Sequence, residues 1–142
     1  MISRKRTGDG TETLPEPMRL RLDQLRRKLL HLHKILLDAE RTTYEREHGR
    51  KTAGEVLQLL INHEQFAWLH RISGLVVRID EIIEGEDPAP LTNAAILLTE
   101  ARTLLIPSEG GDDFGKKYHE ALQRHPNAVL AHKDVVAVLS DG

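Results

Sequence analysis

The stretch MRLRLDQLRRKLLHLHKILLDAERTTYEREHG, residues 18–49, decides the fold. Met18, Leu22, Leu25, Leu29, Leu32, Leu36, Ala39 and Thr43 recur at alternating steps of four and three. That spacing places them on one stripe of an α-helix. Leu30, Leu37 and Tyr44 widen the stripe on one side. Gly49 is the expected stop, with Arg46 and His48 favourably placed near the negative C-terminal end of the helix dipole. The spacing predicts one helix of about thirty residues, near 45 Å at 1.5 Å per residue. Such a stripe must be covered. Either the other helices of the chain pack on it, or a second copy does so along a coiled-coil-like seam of more than three heptads.

Further helices follow outward from it. Thr52-Ala-Gly-Glu55 is a capping box, so a short helix starts at Ala53 and carries Val56, Leu57, Leu59, Leu60 and Ile61. Asn62 is a good N-cap for a helix over about 63–84, in which Ser73 and Gly74 suggest a closely packed neighbour. The loop EGEDPAP breaks the chain, and Thr92 is the expected cap of a fourth helix with Ala94, Leu97, Leu98, Ala101, Leu104 and Leu105 inside. Asp112 caps a fifth helix bearing Phe114, Tyr118, Ala121 and Leu122. Pro126 opens a last helix whose apolar set is Val129, Val135, Val136 and Leu139. Nothing alternates with period two over a strand's length. The expectation is an all-α fold: a single bundle of five to six helices over residues 16–142, built around the long N-terminal helix and preceded by a flexible polar tail at 1–15.

Composition limits the chemistry. The 142 residues suit one ordinary domain, and 39% hydrophobic with 30% charged content suits a water-facing bundle of amphipathic helices. Cysteine is absent, which excludes disulfides, thiolate nucleophiles and cysteine-ligated clusters, and a cytoplasmic location is expected. The N-terminus lacks the apolar run of a secretory signal, and no segment approaches the roughly 18 apolar residues of a membrane span. The net charge of −2 gives no global attraction to a polyanion. Residues 1–34 nevertheless hold nine basic against four acidic side chains. Arg19, Arg21, Arg26, Arg27 and Lys28 are the residues that would touch phosphates if the chain bound nucleic acid, and solvated helix charge is the commoner reason for such a run.

No catalytic signature is complete. In a continuous helix His63 and His70 stand about 10.5 Å apart along the axis, too far to share one ion when zinc bonds each imidazole at about 2.1 Å. Glu45 and His48 have the spacing used in di-iron bundles, but the second Glu-x-x-His that such a site requires is missing. A haem axial histidine needs no spacing signature and stays open. The segment SEGGDDFG lacks the lysine of a phosphate loop, and no nucleophile elbow is present. No metal or cofactor is expected, and the balance is against an enzyme. One constellation remains: Arg26, His33, Glu40 and Glu47 recur every seven residues beside the apolar arc. A buried unpaired charge costs several kcal/mol, so each needs a partner or water. They form a structural polar network or partner-facing seam, or else a small-ligand pocket in which His33, Glu40 and Tyr44 meet Tyr118 or His125.

Three segments, LHKILLDAERTTYEREHGR, FAWLHRISGLVVRIDE and YHEALQRHPNAVLAH, resemble a group of small bacterial all-helical proteins with no assigned activity, over most of residues 28–132. The resemblance implies an all-helical cytoplasmic domain. It implies that Asp38, Glu40, Arg41, Tyr44 and Glu45 are recurrent positions. It also implies that His63 and His70 stand where the group uses other residues. The leading functional expectation is a non-catalytic interaction or regulatory module, working with a protein partner or as a homodimer through the long helix.

Overall fold

The computed structural model describes residues 14–85, 91–107 and 110–140. Its elements are α1 (Glu16–His48), α2 (Ala53–Asn62), a 3-10 helix (Glu64–Leu69), α3 (His70–Glu84), α4 (Leu91–Leu104), α5 (Asp113–Arg124) and α6 (Pro126–Ser140). There is no strand among the described residues, so the fold is all-α. The expected tail lies almost wholly outside them, and Leu14 at its end packs against the core.

The long helix forms as its periodicity predicts. Pro17 sits in the first turn, where a missing N–H costs nothing, and Gly49 ends the helix at φ 82°, a left-handed conformation that favours glycine. Leu22, Leu25, Leu29, Leu32 and Leu36 are fully buried. Each such burial contributes roughly 1.5–3 kcal/mol before chain entropy is set against it. The cover is supplied by the chain itself: α3 and α6 pack on α1, and α4 packs on both α3 and α6, so these four helices make a ring. The leucine stripe is therefore an internal core seam, not a surface open to a second copy. Of the three residues expected to widen it, Leu37 and Tyr44 are partly buried, while Leu30 is half exposed.

Caps set several boundaries. The Thr52–Glu55 capping box is present in both directions, and Asp112 Oδ1 accepts from the Gly115 N–H at 2.8 Å to start α5. Two expectations fail. Thr92 lies inside the first turn of α4 and does not cap it. The predicted continuous helix over 63–84 is instead six residues of 3-10 helix followed by α3, and the N-cap is His63, whose Nδ1 accepts from Gln65 N–H at 3.0 Å. An imidazole nitrogen can fill the capping role usually given to Asn, and that option was invisible to a reading based on cap preferences.

In α6 the buried set is Ala128, Ala131, Val135, Val138 and Leu139, whereas Val136 is exposed and Val129 only partly buried. Small alanines, not the larger valines, face α1 on the N-terminal half. The close neighbour expected at Ser73 and Gly74 is missing at the glycine. A Cβ built on Gly74 would meet nothing within 4 Å, so the outer face of α3 is open.

Candidate functional site

Three of the four polar residues that interrupt α1, Arg26, His33 and Glu40, each meet a group from the antiparallel segment running from the 3-10 helix into α3, while Glu47 stays exposed with its carboxylate 3.9 Å from His48. Arg26 donates to Asp80 at 2.6 Å and to Asp23, and also approaches Glu84 at 3.8 Å. Those carboxylates hold its guanidinium even further above neutrality than an ordinary arginine. One turn set further on, His33 lies near His70, whose own Nε2 donates to the Leu60 carbonyl at 2.6 Å. Burial first, and His70 second, push the His33 imidazole below its ordinary range, and its Nε2 is buried with no hydrogen-bond partner. Glu40 accepts from Gln65 Nε2 at 2.9 Å. Seven residues of α1 rise about 10.5 Å, and five residues of 3-10 helix at about 2.0 Å each rise nearly the same. The tighter helix thus brings Gln65 and His70 into step with Glu40 and His33.

The five candidate ligand residues do not form one pocket. Glu40 and His125 do come together, in a cleft of about 140 Å³ with Gln65, Lys117, Glu120 and Arg124. It is smaller than the roughly 300 Å³ at which small-molecule pockets begin, and its charges are largely matched within it. Arg124 pairs with Glu120 at 3.5 Å and Lys117 with Asp113 at 3.8 Å. His125 forms the corner between α5 and α6, where its carbonyl accepts from Ala128 and Val129. Tyr44 packs its ring on His48, His63 and Phe66 at centroid distances of 4.2, 5.3 and 5.9 Å. Tyr118 is fully buried, stacks on Phe114, and places its hydroxyl 2.6 Å from His132 Nδ1. Burial pushes its phenol pKa well up. His33 stands apart from all of these beside His70. The supposed cluster is four separate packing sites, because His33 and Glu40 are strung along α1, and of Tyr118 and His125 only His125 shares a cleft with either of them.

His63 is half-buried against Tyr44 and Phe66. Arg41 and Glu45 hold the corner between α1 and α2. Arg41 donates to the Lys51 carbonyl at 2.6 Å, and Glu45 accepts the Lys51 N–H at 2.8 Å. That backbone hydrogen bond first, and Arg41 after it, keep the Glu45 carboxyl below the usual range.

The basic run of α1 is partly committed inside the molecule. Arg21 donates to the carbonyls of Val138 and Leu139 at 3.1 and 3.0 Å, capping the C-terminal end of α6. Arg26 is held as described, and Arg27 pairs with Asp23 at 3.2 Å. Arg19 is exposed and Lys28 half-buried.

The surface with the strongest unmet chemistry is α2. Its sequence AGEVLQLLIN is the most apolar of the helices, yet only Val56 is buried. Leu59 and Leu60 lean on the core, while Leu57 and Ile61 are 53% and 55% exposed. Gly54, Leu57 and Ile61 follow i, i+3, i+7 and share one outward stripe. Lone exposed apolar side chains are ordinary, but two adjacent ones beside an open glycine on a helix of this composition make a patch. The sequence contained this signal, since five apolar residues in six leave no polar face. What it lacked was any sign that the bundle would cover only one side.

The chain matches no protein-family model, no curated protein and no solved structure. Among the described residues no group of three or more His, Cys, Asp or Glu could hold a metal ion, and no helix is long and apolar enough to cross a membrane.

Proposed function

We propose that this chain is a non-catalytic interaction module that associates with a second copy of itself through the outward stripe of α2. The observation that carries the reading is the exposure of Leu57 and Ile61 on a helix with only three polar residues in ten. A two-fold symmetric contact pairs residue i of one copy with residue j of the other and j with i. In an antiparallel α2 pair with the axis between Leu57 and Gln58, Ile61 falls opposite Gly54 of the other copy. The glycine has open space where a side chain would be, with only Thr52 Oγ1 at 4.0 Å. The antiparallel arrangement also sets the flank before α2 of one copy, with Lys51, at the flank after α2 of the other, with Glu64, and neither side chain is in an ion pair among the described residues. Large meets small and basic meets acidic, twice over, which favours a copy of this chain over an unrelated partner.

A pair of ten-residue helices falls at the small end of the interface range, so the association belongs to the weak, concentration-dependent class. Sedimentation velocity of the full chain across a concentration series tests it. The expected result is a monomer–dimer equilibrium that Leu57→Glu/Ile61→Glu abolishes while circular dichroism stays helical. Lys51→Glu should weaken the dimer and Lys51→Glu/Glu64→Lys should restore it. A wild-type chain that stays monomeric throughout, or a dimer indifferent to the double glutamate change, would overturn the reading.

A further inference from the structure

A second surface feature, independent of α2, lies where the end of α4 and the segment after it meet α6. There a cavity of about 320 Å³ is walled by Ile106, Pro107, Val136 and Leu139, with Arg102 and His132 as its main polar groups. It falls within the size range of small-ligand pockets and has their usual make-up, apolar walls with a few fixed polar atoms.

Both polar groups are positioned from behind. Tyr118 has no acceptor for its buried O–H among the described residues other than His132 Nδ1, at 2.6 Å. A buried hydroxyl left without an acceptor costs free energy, so the phenol donates and Nδ1 accepts. The proton of the neutral imidazole is then on Nε2, the ring nitrogen that Tyr118 does not use, and His132 lines the cavity. Burial favours that neutral ring, since it lowers the His132 pKa. Arg102 is anchored in the same way. Its Nε and Nη2 donate to the Leu139 carbonyl at 3.0 and 2.8 Å, which leaves Nη1 without an acceptor among the described residues. Among the described residues the cavity therefore offers the Arg102 and His132 donors and the Ser140 hydroxyl, and no side-chain carboxylate. The nearby C-terminal end of α6 carries only a partial negative charge, and it is covered by the full positive charges of Arg21 and Arg102.

We infer that this cavity binds a small amphiphilic carboxylate. Its alkyl chain lies on Ile106, Pro107, Val136 and Leu139, and its oxygens take the Arg102 Nη1 and His132 Nε2 donors. Guanidinium–carboxylate bonds are among the stronger polar contacts, and the ordered arginine has already lost most of its freedom to its Leu139 bonds.

Methyl NMR titration of the full chain with sodium octanoate, and separately with 1-octanol, tests the inference. Octanoate is expected to saturate shifts at the Ile106, Val136 and Leu139 methyls, with octanol binding about ten-fold more weakly at the same place. Arg102→Gln should bring octanoate down to the octanol value, because Arg21 still holds the Leu139 carbonyl and α6 stays in place. Val136→Trp, at a partly exposed position, should block both. Equal affinity of acid and alcohol for the wild-type chain, shifts centred elsewhere, or no saturable binding of octanoate would each overturn it.

Discussion

The side-chain amide of Gln65 donates to the carboxylate of Glu40 at 2.9 Å, tying the 3-10 helix to the second half of α1. The bond is charge-assisted but only part-buried. Gln65→Ala is expected to cost about 1 kcal/mol in urea unfolding, at the low end for bonds to charged groups. Glu40→Gln, which keeps an acceptor but removes the charge, should cost less. Equal losses for the two variants would show that the contact acts through packing alone.

The leucine stripe and the α2 stripe should respond oppositely to charge. Leu29→Glu puts a carboxylate at a fully buried site against α3 and α6, and loss of the helical circular dichroism signal is expected. Leu29→Ala should cost roughly 2–5 kcal/mol by cavity formation. The same glutamate at Leu57 should leave the thermal midpoint within a few degrees of wild type, since that side chain is half in water already.

His33 gives the bundle a dependence on acid. Its imidazole is held below the ordinary histidine range by burial and by His70. A lowered folded-state pKa means that the unfolded chain takes up the proton more readily. Its contribution to stability is full above about pH 6.5 and is lost as pH falls through the lower folded-state value. His33→Leu removes that group together with its unpartnered Nε2. Stability measured between pH 5 and 8 should rise in the variant and lose part of its acid slope, the remainder belonging in part to His132, whose pKa burial also lowers. A slope unchanged by the substitution would assign the acid response elsewhere.

The two arginines on the α6 end should be coupled. Arg21 and Arg102 both donate to the Leu139 carbonyl. Arg21→Met and Arg102→Met are each expected to be mild, because the other guanidinium still satisfies that oxygen. The double variant should lose more than the sum, and hydrogen exchange at Val138 and Leu139 should show it locally. Strict additivity would mean that the two bonds act independently.

Much of this architecture was legible in the sequence where one physical rule acted alone. The four-three spacing from Met18 to Leu36 fixed both the helix and its buried face, because residues at that spacing share one side, and Leu20 and Leu30, which fall off it, stay exposed. The Thr52–Glu55 box worked for the same reason: its two reciprocal bonds are local. Legibility failed where tertiary partners decided. Cap preferences point to Asn62, whereas His63 is the cap, and its ring also packs against Tyr44 and Phe66. Val136 and Val138 are equally apolar, and only the placement of α6 on α1 turned one outward. The candidate pocket failed because spacing along one helix says nothing about what lies opposite. Glu40 found Gln65, His33 found His70, and Tyr118 found His132 on a helix not considered with it. Arg102, which lines the larger cavity, carried no local signal; its role follows from where α6 ends.

The bond from Arg21 to Leu139 closes a span of 118 residues. During synthesis α1 is released well before α6, and until the last helix arrives one flank of its leucine stripe has no native cover. Early chains therefore present to their surroundings a sticky helix nearly fifty ångströms long. The ring closes only after α6 has been made, and production yield should respond to how quickly that segment follows.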